Sequence, residues 1–148
     1  MSVKMTKGNP GATTEGLADL LSRPGVARHS DRIDFMRRHD GAIPEVNEFD
    51  VGLDNGSGVQ KFYSAAEVRE ALRNLSDRMP PDLMPIADAE GGNFVCLGLS
   101  AGRSGVFFWD HEIERESSVA ESFIEFLQRL RRFDPDSVQL KPGQVISA

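Results

Sequence analysis

The chain has 148 residues and a net charge of −6, which bounds it to one acidic domain. An acidic balance argues against nucleic acid as a partner, because phosphate binding needs a basic face. A single cysteine, Cys96, excludes an internal disulfide framework and a multi-cysteine zinc site. No run approaches the roughly 20 apolar residues that span a bilayer, so no membrane segment is expected. Residues 1–14 hold two lysines and no apolar stretch, unlike a secretory signal, and the expected compartment is the cytoplasm. A hydrophobic fraction of 39% with 14 Gly and 8 Pro leaves part of the chain as loop or tail.

Residues 1–13, with Gly-Asn-Pro-Gly among them, are expected to be disordered, and residues 14–148 to form one domain. Thr14 is placed to cap a short helix carrying Leu17, Leu20 and Leu21, stopped at Pro24-Gly25. A second helix is expected from Asp31 to His39, capped by Ser30 and closed by Gly41. Ile43-Pro44 then forces an extended exit. Strands are expected at Phe49–Leu53 and Val59–Tyr63. The second runs into Ser64-Ala-Ala-Glu67, a capping box flanked by Tyr63 and Val68 in hydrophobic-staple positions. This helix ends near Leu75, ahead of Pro80-Pro81.

Three extended segments follow, at Met84–Asp88, Asn93–Leu99 and Gly105–Asp110. Their short links predict antiparallel pairing in sequence order. A further S-x-x-E, Ser118-Val-Ala-Glu121, predicts the start of a last helix with the stripe Val119, Phe123, Phe126, Leu127 and Leu130. Arg129, Arg131 and Arg132 suit the negative end of its dipole, and Asp134-Pro135 ends it. Residues 135–148 read as a polar tail, with a short edge strand at Val138–Leu140. The order of elements predicts an α+β fold, helices packed on an antiparallel or mixed sheet.

The cluster that merits a chemical test is Asp110-His111-Glu112. Histidine between carboxylates suits acid–base work or, with Asp88, a metal-dependent hydrolase. Neighbours on an extended chain point to opposite sides, however, so the plainer reading is polar residues where a strand meets solvent. No catalytic residue, metal or cofactor is assigned. His29 and His39 read as capping or surface residues. Between Asp88 and Glu121 stand seven acids (Asp88, Glu90, Asp110, Glu112, Glu114, Glu116, Glu121) against Arg103 and Arg115. Phe107 and Trp109 share one strand face and Phe108 takes the other. An aromatic residue ringed by charge is a candidate hot spot for a protein partner.

Together these segments resemble the SUKH superfamily, which includes the yeast cell-wall-synthesis regulator and many bacterial toxin-immunity proteins. The likeness covers residues 30–130. It runs through Ile33-Asp-Phe-Met-Arg-Arg-His-Asp-Gly41-Ala-Ile-Pro44-Glu and Val59-Gln-Lys-Phe-Tyr-Ser64-Ala-Ala-Glu67. It continues in Ile86-Ala-Asp88-Ala-Glu-Gly91-Gly92-Asn93, Gly105-Val-Phe-Phe-Trp109-Asp110-His111-Glu112 and Ala120-Glu-Ser-Phe123-Ile-Glu-Phe126-Leu127. Two departures stand out. Ala27-Arg28-His29-Ser30 replaces the usual Leu-Pro pair and aromatic, and Ala89 follows Asp88 where glycine is common.

The resemblance implies a non-enzymatic, protein-binding domain. Its usual bacterial role is to neutralise a cognate toxin, often a nuclease. The expected partner is a basic toxin domain, with contacts at Asp88, Glu90, Trp109, Asp110, His111, Glu112 and Glu114. Gly41, Gly91, Gly92 and Asn93 are expected as structural turns. A regulatory or scaffold module of the same fold is the alternative, and the small metal-dependent hydrolase is a second one.

Overall fold

A computed structural model of the chain describes residues 5–8, 14–39, 41–44, 47–51 and 56–130. In chain order the elements are β1 (Met5–Gly8), α1 (Thr14–Leu21), α2 (Ser30–Arg38), β2 (Ala42–Pro44), β3 (Glu48–Asp50) and β4 (Gly56–Phe62). They continue with α3 (Ala65–Asn74), β5 (Leu83–Ala89), β6 (Asn93–Gly98), β7 (Val106–Asp110), β8 (Arg115–Ala120) and α4 (Phe123–Arg129). Short 3₁₀ turns occupy Val26–Arg28 and Glu90–Gly92.

The strands form one antiparallel sheet in the order β1-β2-β4-β5-β6-β7-β8, so the fold is α+β as expected. β3 also pairs with β4, at Gly56–Gly58, on the same edge that β2 meets at Phe62. The run β5-β6-β7 follows sequence order, as the short links predict.

The capping box at Ser64 is complete. Its hydroxyl accepts from the Glu67 amide at 3.1 Å, and Glu67 accepts from the Ser64 amide at 3.0 Å. Burial alone would raise the Glu67 carboxyl. Lys61, 2.8 Å away, and the Ser64 amide outweigh it and hold the carboxyl below its ordinary range.

Three expectations change. Met5–Gly8, inside the segment whose composition suggests disorder, pairs with β2 as the edge strand β1. Ser30 is the first residue of α2 rather than its cap, and the capping position falls to His29. The larger change concerns the last helix. Ser118-Val-Ala-Glu121 opens no helix, because residues 115–120 form β8 and pair along β7. The helix starts one motif later, at Ser122-Phe-Ile-Glu125, where the Ser122 hydroxyl accepts from the Glu125 amide at 3.1 Å. Two S-x-x-E spacings stand in tandem, and the sheet edge claims the first. Arg131, Arg132, Asp134-Pro135 and the strand expected at Val138–Leu140 lie outside the described residues, as do residues 135–148.

Every helix contributes to the main core, among them Leu17, Leu20, Met36, Val68, Phe123 and Phe126. From the sheet come Phe62, Ile86, Val95, Leu97, Val106 and Phe108. Each such side chain, fully buried, contributes about 1.5–3 kcal/mol. Phe35, Phe62 and Phe123 meet edge to face, with centroids 5.2–5.8 Å apart. The guanidinium of Arg32 is fully buried among them, its Cζ 5.2 Å from the Phe123 centroid and 5.4 Å from that of Phe35. One of its nitrogens donates to the Tyr63 carbonyl at 2.9 Å. A charge there is tolerable because ring faces and carbonyl oxygens replace its hydration.

A second, smaller core lies on the other side of the sheet, where Met79, Leu83, Cys96 and Trp109 pack with Leu75, Phe94 and Phe107. Burial pushes the Cys96 thiol well above its ordinary pKa, so it is an inert packing group.

Candidate functional site

The link between β5 and β6 is a tight turn through Gly91 and Gly92, both at positive φ (75° and 79°). A side chain is strained at either position. The His111 ring lies against Gly92, where an added Cβ would be in ordinary contact with it at 3.4 Å. The β7–β8 link, residues 111–114, projects from the same end of the sheet because Asn93 pairs with the end of β5 and Phe94 with Trp109.

Asn93 staples the two turns. Its amide nitrogen donates to the Glu90 carbonyl at 3.2 Å. Its oxygen accepts from the His111 backbone amide at 3.0 Å and lies 2.6 Å from His111 Nδ1. The latter contact needs the proton on Nδ1. Asp110 braces the second turn from within, with Oδ1 accepting from the Glu112 amide at 2.9 Å and, more weakly, from Ile113 at 3.4 Å. Glu114 carries the positive φ, 51°, that turns the chain back into β8.

Glu90, Asp110, Glu112 and Glu114 are thereby gathered at one end of the sheet. Arg115, opposite Asp110 in the β7–β8 ladder, is the cation in that stretch. Glu90 reaches back over β4, and a Cβ on Gly58 would sit 2.7 Å from its Oε1. Gly58 therefore makes space for this carboxylate.

The other expected contact residues are placed differently. The Trp109 indole is 3% exposed within the second core, so it offers a partner almost no surface in this state. The turn after α3 brings Leu75 and Met79 onto this strand face, which strand alternation alone does not reveal. Asp88 is half-buried and accepts a short hydrogen bond from the Tyr63 hydroxyl. Burial and that carboxylate push the Tyr63 phenol well above its ordinary pKa. Glu116 pairs with Arg103 at 2.7 Å, and Arg103 also bridges to Asp82 at 2.9 Å. Gly41 turns the chain after α2 at φ 85°.

Asp88, Asp110, His111 and Glu112 do not converge. Among the described residues no three His, Cys, Asp or Glu side chains are grouped to hold a metal ion. Asp110 is spent on backbone amides, Asp88 on Tyr63 and His111 on Asn93, so the geometry gives a hydrolase reading no support. His29 takes the capping position of α2, one of its two expected roles, but it is buried rather than at the surface, with Nε2 2.6 Å from the Gly98 carbonyl.

Sequence reasoning passes over Ile113, which is 63% exposed at the tip between Glu112 and Glu114. An isoleucine flanked by glutamates just past a strand is the signal that marks it. No helix among the described residues is long and apolar enough to cross a membrane.

The chain as a whole resembles known sequences. The "SPbeta prophage-derived uncharacterized protein YokK" of Bacillus subtilis (strain 168) is 29% identical over 141 residues, spanning 78% of this chain and 72% of that protein. Residues 11–129 match the SMI1 / KNR4 family (SUKH-1). With a match over most of its length, the chain belongs to the SMI1/KNR4 family (SUKH-1).

Proposed function

We propose that the chain is a non-enzymatic protein-binding domain of the cytoplasm, an immunity protein that binds and neutralises a cognate bacterial toxin. Immunity is a common role in its family. The observation that carries the reading is the stapled acidic end. Asn93 holds two turns together so that Glu90, Asp110, Glu112 and Glu114 act as one surface. Such a surface complements a basic groove of the kind a nuclease presents to its substrate. It raises the association rate by steering and competes for the groove once bound. A preformed turn also reduces the ordering cost of binding.

The test is co-expression with the toxin domain encoded beside its gene. Growth is expected to be rescued, and a stable complex to be recovered. Charge reversal at Glu90, Glu112 and Glu114 together is expected to abolish both without shifting the melting midpoint. If no neighbouring toxin is neutralised, the immunity reading falls. If rescue survives the triple reversal, the acidic end is not the binding surface.

A further inference from the structure

At the other end of the sheet lies a groove of about 380 Å³ between the α3 C-terminus and the start of β5. Its apolar surface comes from Leu72, Leu75, Pro80 and Pro81, set over the buried Met79, Leu83 and Pro85, and Arg23 and Arg73 also line it. Both arginines are exposed, and among the described residues neither forms an ion pair. No acid lines this groove. Its chemistry fits an aliphatic side chain flanked by carboxylates, the apolar surface taking the one and the two guanidinium groups the others.

The chain itself presents that pattern. Glu112-Ile113-Glu114 projects from the β7–β8 turn, and among the described residues Ile113 is the more exposed of the two large hydrophobic residues that stand out in solvent. We propose that the groove takes the Glu112-Ile113-Glu114 tip of a second copy of this chain. Within one molecule the two features cannot meet. The groove borders Leu83, paired with Gly98, whereas the tip adjoins Asn93, paired with Ala89 at the far end of β5. Seven residues of strand hold them about 20 Å apart. The contact is therefore intermolecular, each tip seated in the groove of its neighbour.

The inference goes beyond the function proposed above and needs no toxin. It has a consequence for it, because the tip belongs to the acidic end. Self-association and binding of a basic partner then exclude one another at Glu112 and Glu114.

Sedimentation velocity on the purified chain at low salt tests this. The weight-average sedimentation coefficient is expected to rise with concentration and to fall as added salt screens the exposed charges. Ile113→Asp, the pair Glu112→Lys/Glu114→Lys, and the pair Arg23→Glu/Arg73→Glu are each expected to weaken association at least tenfold. All five positions are exposed, and an unchanged melting midpoint shows that each variant is folded. An equimolar mixture of the two charge-reversed pairs is expected to associate again, since each tip then faces a groove of opposite sign. A monomer at the highest soluble concentration overturns the proposal. So does association that the variants leave unchanged, or a mixture that fails to recover it. Toxin neutralisation is read separately, so either proposal can fail alone.

Discussion

The carboxamide oxygen of Asn93 lies within hydrogen-bonding distance of both the backbone amide and the ring Nδ1 of His111, 18 residues further along the chain. One side chain thereby fixes the spacing of two acidic turns. Asn93→Ala is expected to lower stability by about 1 kcal/mol, the usual net worth of such bonds. It is also expected to speed hydrogen exchange at the His111 amide and to weaken binding of the basic partner, with every carboxylate still in place. An unchanged exchange rate at His111 refutes the staple.

The start of α4 can be checked by paired substitutions. Ser122→Ala removes the cap and is expected to cost about 1 kcal/mol in urea denaturation. Ser118→Ala, at an exposed position of the edge strand β8, is expected to stay within about 0.5 kcal/mol. The reverse ranking would place the helix start at Ser118 instead.

Arg32 ought to respond to shape before charge. Arg32→Ala leaves a void among Phe35, Phe62 and Phe123 and strands the Tyr63 carbonyl, a loss on the order of 3 kcal/mol. Arg32→Met keeps most of the volume in an apolar cage and is expected to cost clearly less. Equal costs would mean that the hydrogen bond outweighs the packing.

Alkaline conditions are expected to destabilise the fold. Burial raises the Cys96 thiol, and burial with the Asp88 carboxylate raises the Tyr63 phenol. A raised native pKa supplies stability that is complete below the unfolded value and is lost as pH climbs toward the native one. The unfolded values are near 8.5 for Cys and 10 for Tyr, so melting midpoints should begin to fall above about pH 9. Cys96→Ala is expected to flatten the first part of that decline and Tyr63→Phe the later part. A decline unaltered in both variants rules these groups out.

The central meander was legible because β5, β6 and β7 carry apolar residues at nearly every position, as strands covered on both faces do. Ser64 and Glu67 announce α3 by spacing alone. β8 was not legible. Its sequence Arg-Glu-Ser-Ser-Val-Ala has four polar positions on an exposed edge, and its pairing is set by β7 rather than by its own pattern. β1 was missed for the same reason, since a lone edge strand takes its order from β2. The burial of Trp109 depends on Leu75 and Met79 arriving from the turn after α3, which is tertiary information. The acidic end is half legible. Composition shows the carboxylates, but only the Asn93 contacts show that two separate turns present them together.

Asp31 sits in the first turn of α2, where one carboxylate oxygen accepts from the Arg32 amide at 2.8 Å. The other accepts from the amide of Ile124, 93 residues away at the start of α4, at 2.9 Å. The final helix therefore borrows part of its terminus from the second helix of the chain. A contact spanning so much sequence forms slowly, and the closing helix has no such partner until the early helices have docked on the sheet. The Ile124 amide gains this acceptor only where α2 and α4 are both in place, so a change at Asp31 is felt at the far end of the chain.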